Sequence, residues 1–317
     1  MTAGVLINPK AGRGNGRGTA LATALEKTPH VQVHLLTQFG ALEQALRDFA
    51  KAGVTDLFIS SGDGTVQAIQ TLLAEKNIFP ALPRLCLLPH GTTNMTAADI
   101  GYRTKSIAAQ AAFIAAPKPQ ETRGRPTLRA VNPRDGVPRH GMFLGTGAVS
   151  AATRYTQVSL NDKGVKGNLA TFTALAGAVG KSVFSAPNPH DESRFDRPFP
   201  LTVKAGDVTL ATGTHLLVLA TTLDKLILGT RPFWGGKTGP IRLTVFPYPV
   251  PSITRWFLSA IMGGENRRPL PGAVSRAVHA CSIDTPAEYV IDGEFFFGPS
   301  HEPLRIESGP EFTYIIR

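Results

Sequence analysis

"FISSGDGTVQ", residues 58–67, is the stretch that decides how this chain is read. Phe58, Ile59 and Ser60 run as a β-strand into Ser61, Gly62, Asp63, Gly64 and Thr65. A helical pattern then begins, with Val66, Ile69 and Leu73 on one side. Strand, glycine-bracketed turn and helix make the unit from which parallel sheets are built. Gly62 and Gly64 are expected to permit positive φ and to leave room beside a bulky ligand. Asp63, unshielded between them, is then available for a metal-bound phosphate or a substrate hydroxyl. Thr65 is placed to cap the following helix, whose N-terminus favours phosphate. An aspartate that simply holds a turn is the competing reading of the same residues.

The unit recurs outward from this stretch. Apolar runs at 4–9, 31–36, 55–60 and 84–89 read as strands, and 19–27, 42–50 and 65–73 as helices between them. In the second helix Leu42, Ala45, Leu46, Phe49 and Ala50 share a face, and Gly53 marks the stop. This rhythm predicts an α/β domain, a parallel sheet with helices on both faces. After about residue 120 the rhythm ends. "PKPQETRGRP" reads as a linker, and the segments beyond it are mainly strand-like, with helical insertions near 148–158 and 168–183. The expected domains are therefore residues 1–123 and a mainly antiparallel, β-sandwich-like second domain, 124–317.

Two further loops follow strands of the first domain, at the sheet edge where ligands bind in open parallel sheets. "NPKAGRGNG" supplies Asn8, Pro9, Lys10, Gly12, Arg13 and Gly14. Glycines let the backbone N–H groups approach a polyphosphate, and Lys10 and Arg13 add charge. It is not a Walker A loop, because no Gly-Lys-Ser/Thr closes it. Nor is it a dinucleotide fingerprint, because Thr37 and Gln38 stand where an acidic ribose-binder is needed. "PHGTTN" supplies Gly91, Thr92, Thr93 and Asn94, groups suited to hydrogen bonds with ribose or phosphate and equally to capping a helix. His90, beside them, reads as a hydrogen-bonded loop histidine rather than a ligand.

Taken together, "NPKAG" (8–12), "SGDGT" (61–65), "GTTN" (91–94) and a late "IDGEFF" (291–296) resemble the diacylglycerol kinase and sphingosine kinase superfamily in order and spacing. The resemblance implies a nucleotide-binding domain facing the β-rich domain, with ATP and Mg2+ as cofactors. It implies that Asn8, Pro9, Lys10, Gly12, Arg13, Thr37, Ser61, Gly62, Gly64, Thr65, Gly91, Thr92 and Asn94 bind the nucleotide. Asp63, Asp292 and Glu294 are the implied catalytic carboxylates, with Asp63 also near magnesium. The implied reaction is ATP-dependent phosphorylation of a lipid hydroxyl such as that of diacylglycerol. Two alternatives stay open: an NAD kinase-like phosphotransferase, and a catalytically silent nucleotide- or lipid-binding protein of the same fold. The chain departs from the family at "GGKTGPIRLTVF" (235–246), where Lys237 and Thr238 stand in place of acids that hold an accessory magnesium.

Composition sets the partners. The 317 residues are 42% hydrophobic and 18% charged, enough to bury a core. A formal charge of +10 favours anionic partners. Residues 1–122 carry 11 Lys/Arg against 8 Asp/Glu, and residues 123–317 carry 22 against 15, so the balance is +3 and +7. Arginines 123, 125, 129, 134 and 139 are candidates for contact with anionic headgroups or for a solvated linker, and the aromatic stretches "RPFWGG" (231–236) and "ITRWFLSAIMGG" (253–264) for contact with a membrane surface or for ordinary core packing. No nucleic-acid module is present, so no nucleic-acid partner is expected. Cys86 and Cys281 lack partners at metal-ligand spacing and read as thiols of a reducing compartment. The expected location is cytoplasmic, at most peripheral at a membrane.

Overall fold

A computed structural model describes residues 2–116, 120–163, 197–250, 264 and 269–316. The expected helix at 168–183 and all of "ITRWFLSAIMGG" except its last glycine lie outside them. The chain divides into two units: residues 1–127 with 310–317, and residues 128–309.

The first unit is built on β1 (Ala3–Ile7), β2 (Val31–Leu35), β3 (Asp56–Ser61) and β4 (Arg84–Pro89), all parallel, in the order β2-β1-β3-β4. Alternation along each strand sends side chains to opposite faces. Val5, Ile7, Phe58, Cys86 and Leu88 form one buried layer with Leu21 and Leu25 of α2 (Arg17–Leu25) and Ile114 of α6 (Ile107–Ala115). Leu6, Leu57, Ile59, Leu85 and Leu87 are buried on the other face. There Gly4 lies against Phe49 of α3 (Leu42–Lys51) so closely that a Cβ would sit 3.0 Å from its ring. The predicted stripe of α3 is the one buried: Leu42, Ala45, Leu46 and Phe49. Each such side chain contributes about 1.5–3 kcal/mol relative to exposure. α4 (Asp63–Glu75) begins two residues earlier than expected, and α5 (Met95–Ile100) follows β4. The turn Ala11–Gly14, labelled α1, is not a regular helix, since Gly12 and Arg13 are left-handed.

Strand order sets the place of the site. From β1 the chain passes to β2 on one side, then returns across to β3 on the other. The loops after β1 and β3 therefore diverge at a topological switch point, where ligands bind in open α/β sheets.

The second unit is antiparallel. β7 (Phe143–Gly147), β8 (Phe199–Ala205), β9 (Val208–Thr221), β12 (Ala280–Asp284), β13 (Tyr289–Ile291) and β14 (Glu294–Phe296) join in the order β14-β13-β7-β9-β8-β12, and β12 pairs with the start of β15 (Leu304–Ile315). β9 is long because it is shared. Its first half pairs with β8, and its second half lies between β7 and β10 (Ile241–Pro247), which carries β11 (Val274–Val278). Val203, Val218, Ile241, Leu243, Ile283 and Ile306 are among the residues of its core. α7 (Ala148–Lys163) is the predicted insertion after β7, extended by five residues.

Two expectations about boundaries change. Residues 122–126 are not linker but the start of β5 (Thr122–Ala130), whose end pairs with β6 (Arg139–Gly141). The C-terminus returns to the first unit: Tyr314 of β15 pairs parallel with Leu85, and its hydroxyl accepts from Gln70 Nε2 at 2.8 Å in the core.

The arginines expected to offer a basic face are engaged within the chain. Arg125 pairs with Asp99, Arg129 with Glu307 and Arg139 with Asp135, and Arg134 stacks on Phe297 and donates to the Gly298 carbonyl. Phe233 is buried, and half-buried Trp234 packs edge-on against Phe246, so the aromatics of "RPFWGG" pack inward while Arg231 and Gly236 stay exposed. Both cysteines are buried free thiols, and burial pushes Cys281 up to about 12 and Cys86 higher still. Among the described residues no helix is long and apolar enough to cross a membrane.

Candidate functional site

The "SGDGT" segment is not a strained turn. Gly62 is extended (φ −95°, ψ 174°) and holds the N-cap position of α4; Asp63 and Gly64 are its first helical residues, and neither glycine has positive φ. The glycines serve proximity instead. Gly62 and Gly91 face each other across two loops, and a Cβ on Gly91 would sit 2.4 Å from the Gly62 Cα. Thr65 does not cap the helix; its hydroxyl accepts from Asn8 Nδ2 at 3.0 Å.

Asp63 is turned inward rather than left free. Its two carboxylate oxygens accept the backbone N–H groups of Met95 (3.0 Å) and Thr96 (3.2 Å), the first turn of α5. Burial pushes its carboxyl above the usual range, and these donors pull it part of the way back. Asp63 thus clamps the loop after β4 to the loop after β3.

The remaining loop residues complete the lock. Asn8 accepts from the Lys10 N–H with its side chain and reaches Thr65 with its amide nitrogen. Gly12, Arg13, Gly14 and Gly16 are all left-handed, and a Cβ on Gly12 would fall 2.5 Å from the His90 carbonyl oxygen. Asn15 Nδ2 donates to that oxygen at 3.1 Å. Asn94, left-handed at φ 52°, closes its own loop by exchanging two 2.7 Å bonds with Gly91. Lys10, Arg13, Thr37 and Thr92 stay exposed at the strand ends, and Pro9 is half-buried. Ser61 is buried, with its hydroxyl on the Gly62 carbonyl.

Beneath the loops lies a buried chain that sequence reasoning left unassembled. Ser60 Oγ is 2.7 Å from His90 Nδ1, and His90 Nε2 is 2.9 Å from Gln110 Oε1. Gln110 spends its amide nitrogen on the Thr104 carbonyl, which leaves Oε1 to accept. His90 therefore donates from Nε2 and accepts the Ser60 hydroxyl proton at Nδ1. Burial, with a smaller push from Arg17, lowers its pKa from 6.5 to about 4 against the support of Gln110, so the ring is neutral at pH 7. Both residues end buried strands, but nothing in their spacing announces that they touch.

In the second unit "IDGE" is a two-residue hairpin between β13 and β14. Asp292 (φ 47°) and Gly293 (φ 96°) supply the two positive φ values that such a turn requires. Asp292 is buried, and its carboxylate accepts the Met142 (2.8 Å) and Phe143 (2.9 Å) N–H groups. Gly141 makes room for it, since a Cβ there would stand 2.7 Å from Asp292 Oδ2. Glu294 differs from both aspartates: it is exposed and has no hydrogen-bonding or ion-pair partner among the described residues. Also among the described residues, no three His, Cys, Asp or Glu side chains gather as a metal site.

Residues 2–122 match the family model described as the diacylglycerol kinase catalytic domain. A crystal structure described as a diacylglycerol kinase from Bacillus anthracis str. Sterne is similar with a TM-score of 0.65 at 18% identity, covering 100% of this chain and 97% of that one. A second crystal structure from that organism, provisionally described as a diacylglycerol kinase, gives 0.67 at 20% identity with the same coverage. At such identities the likeness speaks for the fold. No curated protein matches the sequence. Over residues 2–122, then, the chain matches the diacylglycerol kinase catalytic-domain family, and over its whole length it shares the fold of the two solved structures.

Proposed function

We propose that the protein is an ATP-dependent kinase that transfers the γ-phosphoryl group to a hydroxyl of a lipid such as diacylglycerol. The observation that carries this reading is the junction of three loops at the switch point of the parallel sheet. Asn8, Asp63 and Gly91 bring them together; Gly12, Arg13, Gly14 and Gly16 are left-handed, and at Gly14 the loop is open, since a Cβ there would meet nothing within 4 Å. Such a backbone presents N–H groups to an anion, and exposed Lys10 and Arg13 match the charge of a polyphosphate. Thr37 and Thr92 are exposed hydroxyls on either side for the rest of the nucleotide.

Magnesium fits as a companion of the nucleotide. Asp63 is the one carboxylate in the loops after β1, β3 and β4, and a site of this kind uses one carboxylate with substrate phosphates. When bound, the ion neutralises charge on the transferring phosphate. Among the three motif carboxylates Glu294 is the one whose oxygens have no partner among the described residues, which supports it as the group that takes the proton of the acceptor hydroxyl, while Asp63 and Asp292 hold backbone in place. Alignment supplies most of the rate in a loose phosphoryl transition state, which suits this division of labour. The surplus of +7 over residues 123–317 supports a peripheral meeting with anionic lipid.

The test is incubation of the purified protein with labelled ATP and Mg2+ over a lipid extract, with products identified by mass spectrometry and NAD run as a parallel acceptor. A phosphorylated lipid alcohol is expected. Label on NAD alone, or on no acceptor while ATP still binds, would refute the lipid kinase reading.

A further inference from the structure

We infer that His90 is a positioning residue for the nucleotide: its ring and its backbone carbonyl together hold the glycine-rich loop after β1 in register with the loops after β3 and β4. The inference rests on the ATP reading of this site and adds to it a residue that touches no substrate.

Four bonds meet at this residue. The ring accepts from Ser60, at the end of β3, and donates to Gln110 on α6. The carbonyl receives Asn15 from the first loop, and the N–H donates to the Leu88 carbonyl of β4. The carbonyl lies so near Gly12 that no side chain fits there. Gly91, the next residue, packs on Gly62. A displaced imidazole therefore shifts the carbonyl under the first loop and the Gly91 backbone under the second at once. The ring itself is 1% exposed, so it acts on the ligand only through these neighbours. A methyl or methylene in its place leaves the Ser60 hydroxyl and Gln110 Oε1 without their ring partner in the interior, and the two strand ends lose the strut that spaces them.

The experiment is calorimetric titration of ATP into the full chain and its Ser60→Ala, His90→Asn and doubly substituted forms, followed by steady-state kinetics. His90→Asn can reach one of the two ring partners but not both. Each single substitution is expected to raise the Kd for ATP about tenfold, the scale of one buried hydrogen bond. Binding stoichiometry stays near one, and KM for the lipid acceptor stays within about twofold. The double form should be no worse than His90→Asn, because both changes break the same chain. A merely structural role would lower the stoichiometry and leave Kd alone, and that result overturns the inference. So does an unchanged Kd in Ser60→Ala, which removes a single oxygen and keeps the test open if His90→Asn fails to fold. A wild-type protein without affinity for ATP overturns the underlying reading and the inference with it.

Discussion

Replacing Gly91 by alanine should disturb this protein far more than the same change at Gly62, although the two glycines touch. Gly91 has no positive φ, so alanine is permitted by its backbone. Space is the obstacle. The new Cβ would lie 2.4 Å from the Gly62 Cα, 3.1 Å from the Gly62 nitrogen and 3.0 Å from Asn94 Oδ1. Carbon atoms pack at about 3.5–4.0 Å, so the loops must part by about 1 Å, and the nearest atom, on Gly62, is backbone rather than a side chain that can swing away. Overpacking of this kind costs about 1–3 kcal/mol. The Cβ of Gly62→Ala would instead meet the Gly91 Cα at 3.5 Å, an ordinary contact. There the cost is below about 1 kcal/mol, from replacing glycine by alanine at the N-cap position. Urea unfolding of the two variants measures the difference, and ATP titration measures whether parting the loops weakens nucleotide binding. Equal losses in the two variants, or a Gly91→Ala protein as stable as wild type, would refute the close approach of the loops.

Other outcomes follow from the same geometry. Asp63→Ala should leave a folded protein with turnover down at least about 100-fold and stability down about 1–3 kcal/mol, because the Met95 and Thr96 N–H groups lose their acceptor; kinetics with urea unfolding checks both. Glu294→Gln should change stability by no more than about 0.5 kcal/mol, since the side chain is exposed and has no partner among the described residues, while phosphoryl transfer falls about 100-fold or more; a fully active variant removes Glu294 from the reaction. His90 makes a pH test. Its folded pKa near 4 lies below the ordinary 6.5, so between these values the unfolded chain binds the extra proton and acid destabilises the fold. The contribution is present above about pH 6.5 and is lost as pH falls toward 4, by about 3 kcal/mol at full displacement. The groups around the ring are Ser60, Gln110 and the more distant Arg17, so His90→Gln should flatten the pH dependence of unfolding across that window relative to wild type.

Much of this architecture was legible in the chain. Strands 3–7, 31–35, 56–61 and 84–89 fall where apolar runs predicted them, and α3 buries its predicted stripe. Those patterns are local: a strand buried on both faces must be apolar along its length, and an amphipathic helix must repeat near 3.6 residues. The positions of the loops at one sheet edge followed from parallel strands alone. The fate of each side chain within them did not. Asp63 read as a free carboxylate between glycines, yet it is committed to two amides more than thirty residues away. Gly62 read as a conformational glycine, yet with Gly91 it lets two backbones meet. Sequence by itself determined the alternating units and the loop chemistry, because each depends on neighbours along the chain. Only the tertiary structure decided that Ser60, His90 and Gln110 form one chain, that Asp292 holds the 142–143 amides, and that the last strand returns to β4. Those contacts depend on strand order and on distances of a few ångströms between segments far apart in the chain, which no local spacing encodes.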